Sequence, residues 1–206
     1  MSKSFLTSLT ETQPIPGGGA AAAYTASVGL ALLEKIVRLE IKREGEQTEL
    51  SLRWQALLGK VCELKETFLR LQDEDGKAYL RWAEAKTLQE DVLAAEDALR
   101  EATLCPISIV EQVRGTLECV NEAGKYAKRH LLSDLLAVCE ILNGAGKAVG
   151  HIACANLQLM TDASGRNECE GQLVHWSTLA DHSYNHAREQ LHQRLHGSRR
   201  ACSGLD

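Results

Sequence analysis

Residues 50–82, LSLRWQALLGKVCELKETFLRLQDEDGKAYLRW, decide the fold class. Leu50, Trp54, Leu57, Val61, Leu64, Phe68 and Leu71 follow one another in alternating steps of four and three. That spacing lays one apolar stripe along a helix and fits no strand. Continued, the stripe passes through Asp75 and resumes at Ala78 and Trp82. A carboxylate therefore stands where the pattern calls for a buried apolar group, which is costly unless the charge is paired or put to use. Burial shifts the pKa of such a carboxyl, and a shifted pKa suits general acid–base work. Two other readings fit the same residue: a bend that carries Asp75 to solvent, or an ion pair with a lysine such as Lys77 of a neighbouring chain. Asp73 lies two residues earlier and points to roughly the opposite side of the helix, so the two carboxylates do not form a shared-proton pair. Asp73 is placed instead to pair with Lys77 on its own helix.

Outward from this helix the chain continues to read as helix. A short one covers Ser4 to Leu9, a loop covers Pro14 to Gly19, and a second helix runs from Ala20 to about Glu44, stopped by Gly45. After residue 82 a helix is expected from near Glu90 to about Glu122, with Pro106 inside it predicting a kink or a break. Ser133 is the expected N-cap of a helix reaching about Met160. Two stripes overlap on that helix: Leu135, Val138, Leu142, Ala145, Val149, Ile152, Asn156, Leu159, and Val138, Ile141, Ala145, Ala148, Ile152, Ala155. They predict a central helix, apolar on most of its surface. A turn over Asp162–Asn167 and a last helix from about Glu168 to Leu195 follow, with residues 197–206 as a frayed tail. No segment alternates as a strand does. The expected fold is all-α: a single-domain helical bundle of about five main helices over residues 1–206, dimer-forming because so much apolar helix surface needs a partner.

Composition agrees with this class. The 206 residues are 44% hydrophobic and 25% charged, enough for one globular domain with a sizeable core. A formal net charge of -5 argues against a nucleic-acid partner held by overall charge. The N-terminus has no apolar run of signal-peptide length. The most apolar stretch, Ala20 to Leu33, is 14 residues long, short of the ~20 that span a bilayer, and reads as a buried helix rather than a membrane segment. Cys62, Cys105, Cys119, Cys139, Cys154, Cys169 and Cys202 form no C-x-x-C pair and sit mostly in apolar helical patterns, as free thiols do in a reducing, cytoplasmic setting.

Other polar residues interrupt the apolar pattern. Asn156 breaks the stripe of its helix, and a buried amide must either order a neighbouring helix or bond a ligand. Asp134 follows Ser133 and is favoured by the helix dipole. Pro16, Gly17, Gly18 and Gly19 directly precede a helix, where glycines let backbone approach a ligand, although neither a P-loop lysine nor G-x-G-x-x-G is present. His175, His182, His186, His192 and His196 decorate the last helix. His182 and His186 share a face, but without H-E-x-x-H the helix reads as solvated and no metal site is assigned.

Taken together these segments resemble the family of methenyltetrahydrofolate cyclohydrolases and formiminotetrahydrofolate cyclodeaminases. Ile15-Pro16-Gly17-Gly18-Gly19-Ala20-Ala21-Ala22-Ala23 looks like its glycine opening, and Asp73-Glu74-Asp75-Gly76-Lys77-Ala78-Tyr79 like its Asp-x-Asp segment. Ala102–Ile107 resembles its proline-bearing segment, and Ser133-Asp134 with Ala155-Asn156-Leu157 its Ser-Asp helix and closing Asn-Leu. The resemblance spans roughly residues 5–160. This chain departs from the pattern at Ala20, at Glu40-Ile41-Lys42, at Lys128 and at Ile152-Ala153, where the family carries other residues.

The resemblance implies a helical homodimer with a pocket for a tetrahydrofolate derivative, lined by Pro16 and Gly17–Gly19 and by the Asp-x-Asp helix. It implies no tightly bound cofactor, and Asp75 as the acid–base residue with Asp73 and Asp134 as alternatives. It adds Ser133 and Asn156 to the pocket and sets Lys42 and Arg43 near the substrate's glutamate carboxylates. The reaction it puts first is hydrolysis of 5,10-methenyltetrahydrofolate to the 10-formyl compound. Release of ammonia from 5-formiminotetrahydrofolate, a changed substrate, and a non-catalytic helical binding module are the alternatives.

Overall fold

The computed structural model describes residues 4–45, 48–88 and 92–197. Six α-helices follow in order: α1 (Phe5–Leu9), α2 (Gly18–Glu44), α3 (Glu49–Leu88), α4 (Val92–Tyr126), α5 (Leu132–Leu159) and α6 (Ala163–His196). A single 3-10 turn, Arg129–Leu131, precedes α5, and there is no strand among the described residues. The five long helices form the bundle. α2 packs on α3 and α5, α4 packs on α3, α5 and α6, and α5 also meets α6. Their common core is aliphatic, with Leu30, Leu33 and Ile36 of α2, Ile109 and Leu117 of α4, and Leu135, Leu142 and Val149 of α5 all sealed from solvent.

The deciding stripe behaves as expected. Trp54, Leu57, Val61, Phe68 and Leu71 are buried, and α3 carries them on one uninterrupted helix of 40 residues, about 60 Å long. Asp75 stays on that face, half-buried, with Ala78 buried beyond it. α2 ends at Glu44 as expected and begins two residues before Ala20. It is long and apolar enough to cross a membrane on length and composition alone, but half of its most apolar window is buried inside the bundle, as in a core helix. α5 meets three helices and buries the first stripe from Leu135 to Val149, while Ile152 and Asn156 are half-buried and Leu159 is exposed. Ala148 and Ala155 of the second are exposed.

Several boundaries differ from expectation, each for a local reason. Gly18 and Gly19 belong to the first turn of α2 and not to the loop before it. Without Cβ atoms they wind into helix directly against Asp75 and Ile152. Ser133 does not cap α5: the backbone is already helical at Leu131 and Leu132, so the 3-10 turn runs into the helix and Ser133 is an exposed residue of its first turn. α6 starts at Ala163, five residues earlier than the expected Glu168, because Asp162 caps it. The Asp162 carboxylate accepts from the N–H of Ser164 at 3.0 Å and of Gly165 at 2.8 Å. The expected start near Glu90, the tail beyond Gly197 and Cys202 lie outside the described residues.

Pro106 neither breaks α4 nor leaves its lost hydrogen bond empty. A proline has no N–H, so the carbonyl four residues back, that of Ala102, loses its helical donor. Asn156 Nδ2 of α5 donates to that oxygen at 2.9 Å. A polar break in one apolar stripe thus repairs a backbone defect in the neighbouring helix, and α4 runs unbroken from Val92 to Tyr126. The six described cysteines are all unbridged, and the five histidines of α6 are exposed.

Candidate functional site

α2 begins at a cap residue, Gly17, that has no side chain to satisfy the helix's first N–H groups. The missing acceptor comes from α3. Asp75 Oδ2 accepts from the Ala20 N–H at 3.0 Å, doing from another helix what a capping side chain does locally. The approach is so close that a Cβ on Gly19 would stand 2.1 Å from Asp75 Oδ1, well inside contact distance. Glycine at position 19 is therefore a condition for placing this carboxyl.

Around Asp75 lies a cavity of about 290 Å³. Pro14, Ile15 and Gly17–Gly19 form one wall, Asp75, Tyr79 and Trp82 of α3 a second, and Ala102 of α4 with Ile152, Ala155 and Asn156 of α5 the rest. Burial raises the Asp75 pKa above the usual carboxylate value, opposed by the Ala20 N–H, which favours the charged form. No lysine or arginine is bonded to it among the described residues. A carboxyl raised in this way holds its proton to higher pH than a free one, which suits an acid or a base. The nearby Cys105 is of a different kind. Its thiol is pushed up to about 12, first by burial and then by the Asp75 and Glu74 charges, and it donates to the Leu71 carbonyl at 3.7 Å. It stays protonated and is no nucleophile.

The structure gathers Gly17, Gly18, Gly19, Asp75 and Asn156 of the expected site residues in one place, with Pro16 in the adjoining loop. Asp73 is exposed on α3, does not line the cavity, and forms no ion pair with Lys77 among the described residues. Lys42 lies 24 residues beyond Gly18 on α2, about 36 Å away along the helix, and Arg43 follows it. Ser133 and Asp134 stand at the start of α5 and Asn156 near its end, about 33 Å apart on the same measure. These four residues belong to the other end of the bundle. There Arg43 bonds Glu40 at 3.0 Å and meets His130 at 3.2 Å. Sequence reasoning missed Tyr79 as a lining residue and carried Trp82 only as part of a stripe. Their spacing from Asp75, four and seven residues, is the signal that would have found them.

A wider depression of about 590 Å³ runs between α3 and α4. Leu57, Leu64 and Cys119 line its floor, with Arg53, Lys60, Glu63, Glu118 and Glu122 around them. Burial pushes the Cys119 thiol up to about 11, away from reactivity, and of the groove's carboxylates Glu63 and Glu118 are exposed while the half-buried Glu122 is paired with Lys125. The smaller cavity, where Asp75 lies, is the candidate site.

Comparison with known proteins bears on the fold and the family. A solved structure, formiminotetrahydrofolate cyclodeaminase from Thermotoga maritima, superposes with a TM-score of 0.83 at 18% identity, covering 91% of this chain and 93% of that one. Its likeness shows the fold. No curated protein sequence matches. The family described as formiminotransferase-cyclodeaminase matches residues 1–175, most of the described bundle including every residue of the cavity, and the chain belongs to that family.

Proposed function

We propose that this protein is a folate one-carbon enzyme in which Asp75 moves a proton at the carbon that bridges N5 and N10 of a tetrahydrofolate. The observation that carries the reading is the Asp75 carboxyl itself: half-buried, raised in pKa, bonded to a main-chain N–H and open to a cavity. The family and the similarity to a formiminotetrahydrofolate cyclodeaminase support ammonia release as the first reaction. In it, N10 attacks the formimino carbon and its proton passes to the imino nitrogen, giving a tetrahedral centre bonded to N5, N10 and an amino group. Protonation of that amino group by Asp75 lets ammonia leave, and the 5,10-methenyl bridge remains. Asp75 is left as the carboxylate and regains its proton from solvent.

Hydrolysis of 5,10-methenyltetrahydrofolate to the 10-formyl compound is the second reading, supported by the same carboxyl. There Asp75 takes a proton from the attacking water, and the tetrahedral centre then opens: the C–N5 bond breaks, N5 takes up a proton, and the hydroxyl gives one up as it becomes the formyl oxygen. A cytoplasmic setting accompanies either reaction. Absorbance of the methenyl chromophore reads both. Enzyme-dependent growth of the chromophore from 5-formiminotetrahydrofolate supports the first, and enzyme-dependent loss from the methenyl compound supports the second. Folded protein that does neither overturns the proposal.

The proposal extends to a homodimer. Val28 of α2 is 49% exposed, and Ala148 on the adjoining α5 is exposed as well, small and apolar groups that a second copy could cover. Lys42, Arg43, Ser133 and Asp134 are too distant to serve this cavity within one chain and can reach it only from such a copy. Light scattering at micromolar concentration is expected to give twice the monomer mass, and a monomer would contradict the pairing.

A further inference from the structure

The face of α3 that carries Asp75 does not end at the cavity. Tyr79, Trp82 and Lys86 follow at four, seven and eleven residues, so all four side chains lie on one side of the helix. At 1.5 Å per residue they extend over about 16 Å. The contacts between them are specific. The Tyr79 and Trp82 rings meet edge to face, with centroids 5.7 Å apart and planes 65° apart. Lys86 Nζ sits 5.1 Å from the centre of the Trp82 ring. Tyr79 and Trp82 both line the cavity, and Tyr79 is 41% exposed. In order along the helix, the face presents a carboxyl, two aromatic rings and a cation.

A folate carries complementary groups in the same order. Next to the carbon between N5 and N10 comes the p-aminobenzoyl ring, and after one amide come the glutamate carboxylates. We infer that α3 acts as a ruler for the substrate's tail: with Asp75 at the reacting carbon, Trp82 and Tyr79 hold the p-aminobenzoyl ring and Lys86 receives the glutamate carboxylate. This rests on the folate reading proposed above and adds to it the residues that set affinity for the tail. An aromatic ring against an aromatic face and a carboxylate against an ammonium are both favourable pairings. Lys86 takes the role that Lys42 and Arg43, at the far end of α2, cannot take within one chain.

The test compares 5-formyltetrahydrofolate with the same compound lacking its glutamate, on purified full-length protein, by titration calorimetry at low salt. Lys86→Glu is expected to weaken binding of the glutamate-bearing ligand by about fivefold or more and to leave the truncated ligand within about twofold, as for loss of one exposed ion pair. Trp82→Leu, which keeps an apolar side chain where Trp82 packs on the core, is expected to weaken both ligands by about tenfold, the scale of ring stacking in ligand sites. Circular dichroism melts run beside the titrations confirm that each variant is folded. Wild-type protein that binds the ligand while both variants bind it unchanged overturns the ruler and leaves the folate reading standing. An equal loss for both ligands in Lys86→Glu also overturns it. Wild-type protein that binds neither ligand overturns the folate reading together with the ruler.

Discussion

The two ends of the bundle each bury a carboxyl, and they use it in opposite ways. At one end Glu40 of α2 is wholly sealed from solvent. Its Oε1 accepts from Arg43 at 3.0 Å and from the Lys128 N–H at 2.9 Å, tying the end of α2 to the turn between α4 and α5. At the other end Asp75 is half-buried and accepts one main-chain N–H, with no cation bonded to it among the described residues and a cavity beside it. A buried charge with a guanidinium and an amide is a fastening. One with an amide alone keeps its proton within reach of use, which is the condition for acid–base chemistry. What separates the two carboxyls here is the partner, and burial by itself does not.

The sharpest way to break this contrast is to remove each carboxyl in turn. Asp75→Asn keeps the acceptor for the Ala20 N–H and loses the proton carrier. Turnover, read by the methenyl chromophore, is expected to fall by about 10²–10⁴-fold. A variant with wild-type turnover would remove Asp75 from the mechanism. Glu40→Ala is expected to do the reverse. It strips two donors of their acceptor and lowers unfolding stability in urea by on the order of 2 kcal/mol, with a fall in kcat far smaller than that of Asp75→Asn. A fall in kcat that matches the Asp75 variant would mean the two ends are not separate in function.

The third prediction concerns the repaired carbonyl. Asn156→Ala leaves the Ala102 oxygen without a donor, a cost of about 1–2 kcal/mol. In a Pro106→Ala background, which restores an N–H at position 106, the same change is expected to cost clearly less. Equal costs in both backgrounds would show that Asn156 does not compensate for the proline.

The smallest effect is one of pH. The Asp75 pKa is raised in the fold, so the group's contribution to stability is whole below its unfolded pKa and is lost as pH rises through its folded value. Above its folded pKa the ionised carboxyl therefore weakens the fold, and there Asp75→Asn is expected to melt higher than wild type. The gap should close as pH falls below the ordinary carboxylate range. A Tm difference that is constant with pH would contradict the raised pKa.

The contrast also explains what could be read in advance. The helices, the stripe of α3 and the place of Asp75 upon it follow from apolar periodicity, which a single sequence displays in full. Helix starts were less legible, because the signals at Ser133 and Asp162 are alike in kind and only the backbone geometry before them decides which one caps. Asn156 was visible as a polar break, but its partner was not, since the oxygen it serves lies 54 residues away in another helix. The site itself was half legible. Gly17, Gly18, Gly19, Asp75 and Asn156 meet, while Lys42, Arg43, Ser133 and Asp134 are held away by the length of α2 and α5, a distance that no motif records.

The bond from Asn156 to Ala102 also sets a direction on change. If Pro106 is replaced first, the carbonyl regains a helical donor and Asn156 becomes free to drift. If Asn156 is replaced first, the intermediate carries an unsatisfied oxygen at the edge of the cavity. The two orders reach the same double variant by unequal routes, so the history open to this pair is not symmetrical, and anyone redesigning the cavity wall should alter the proline before the amide.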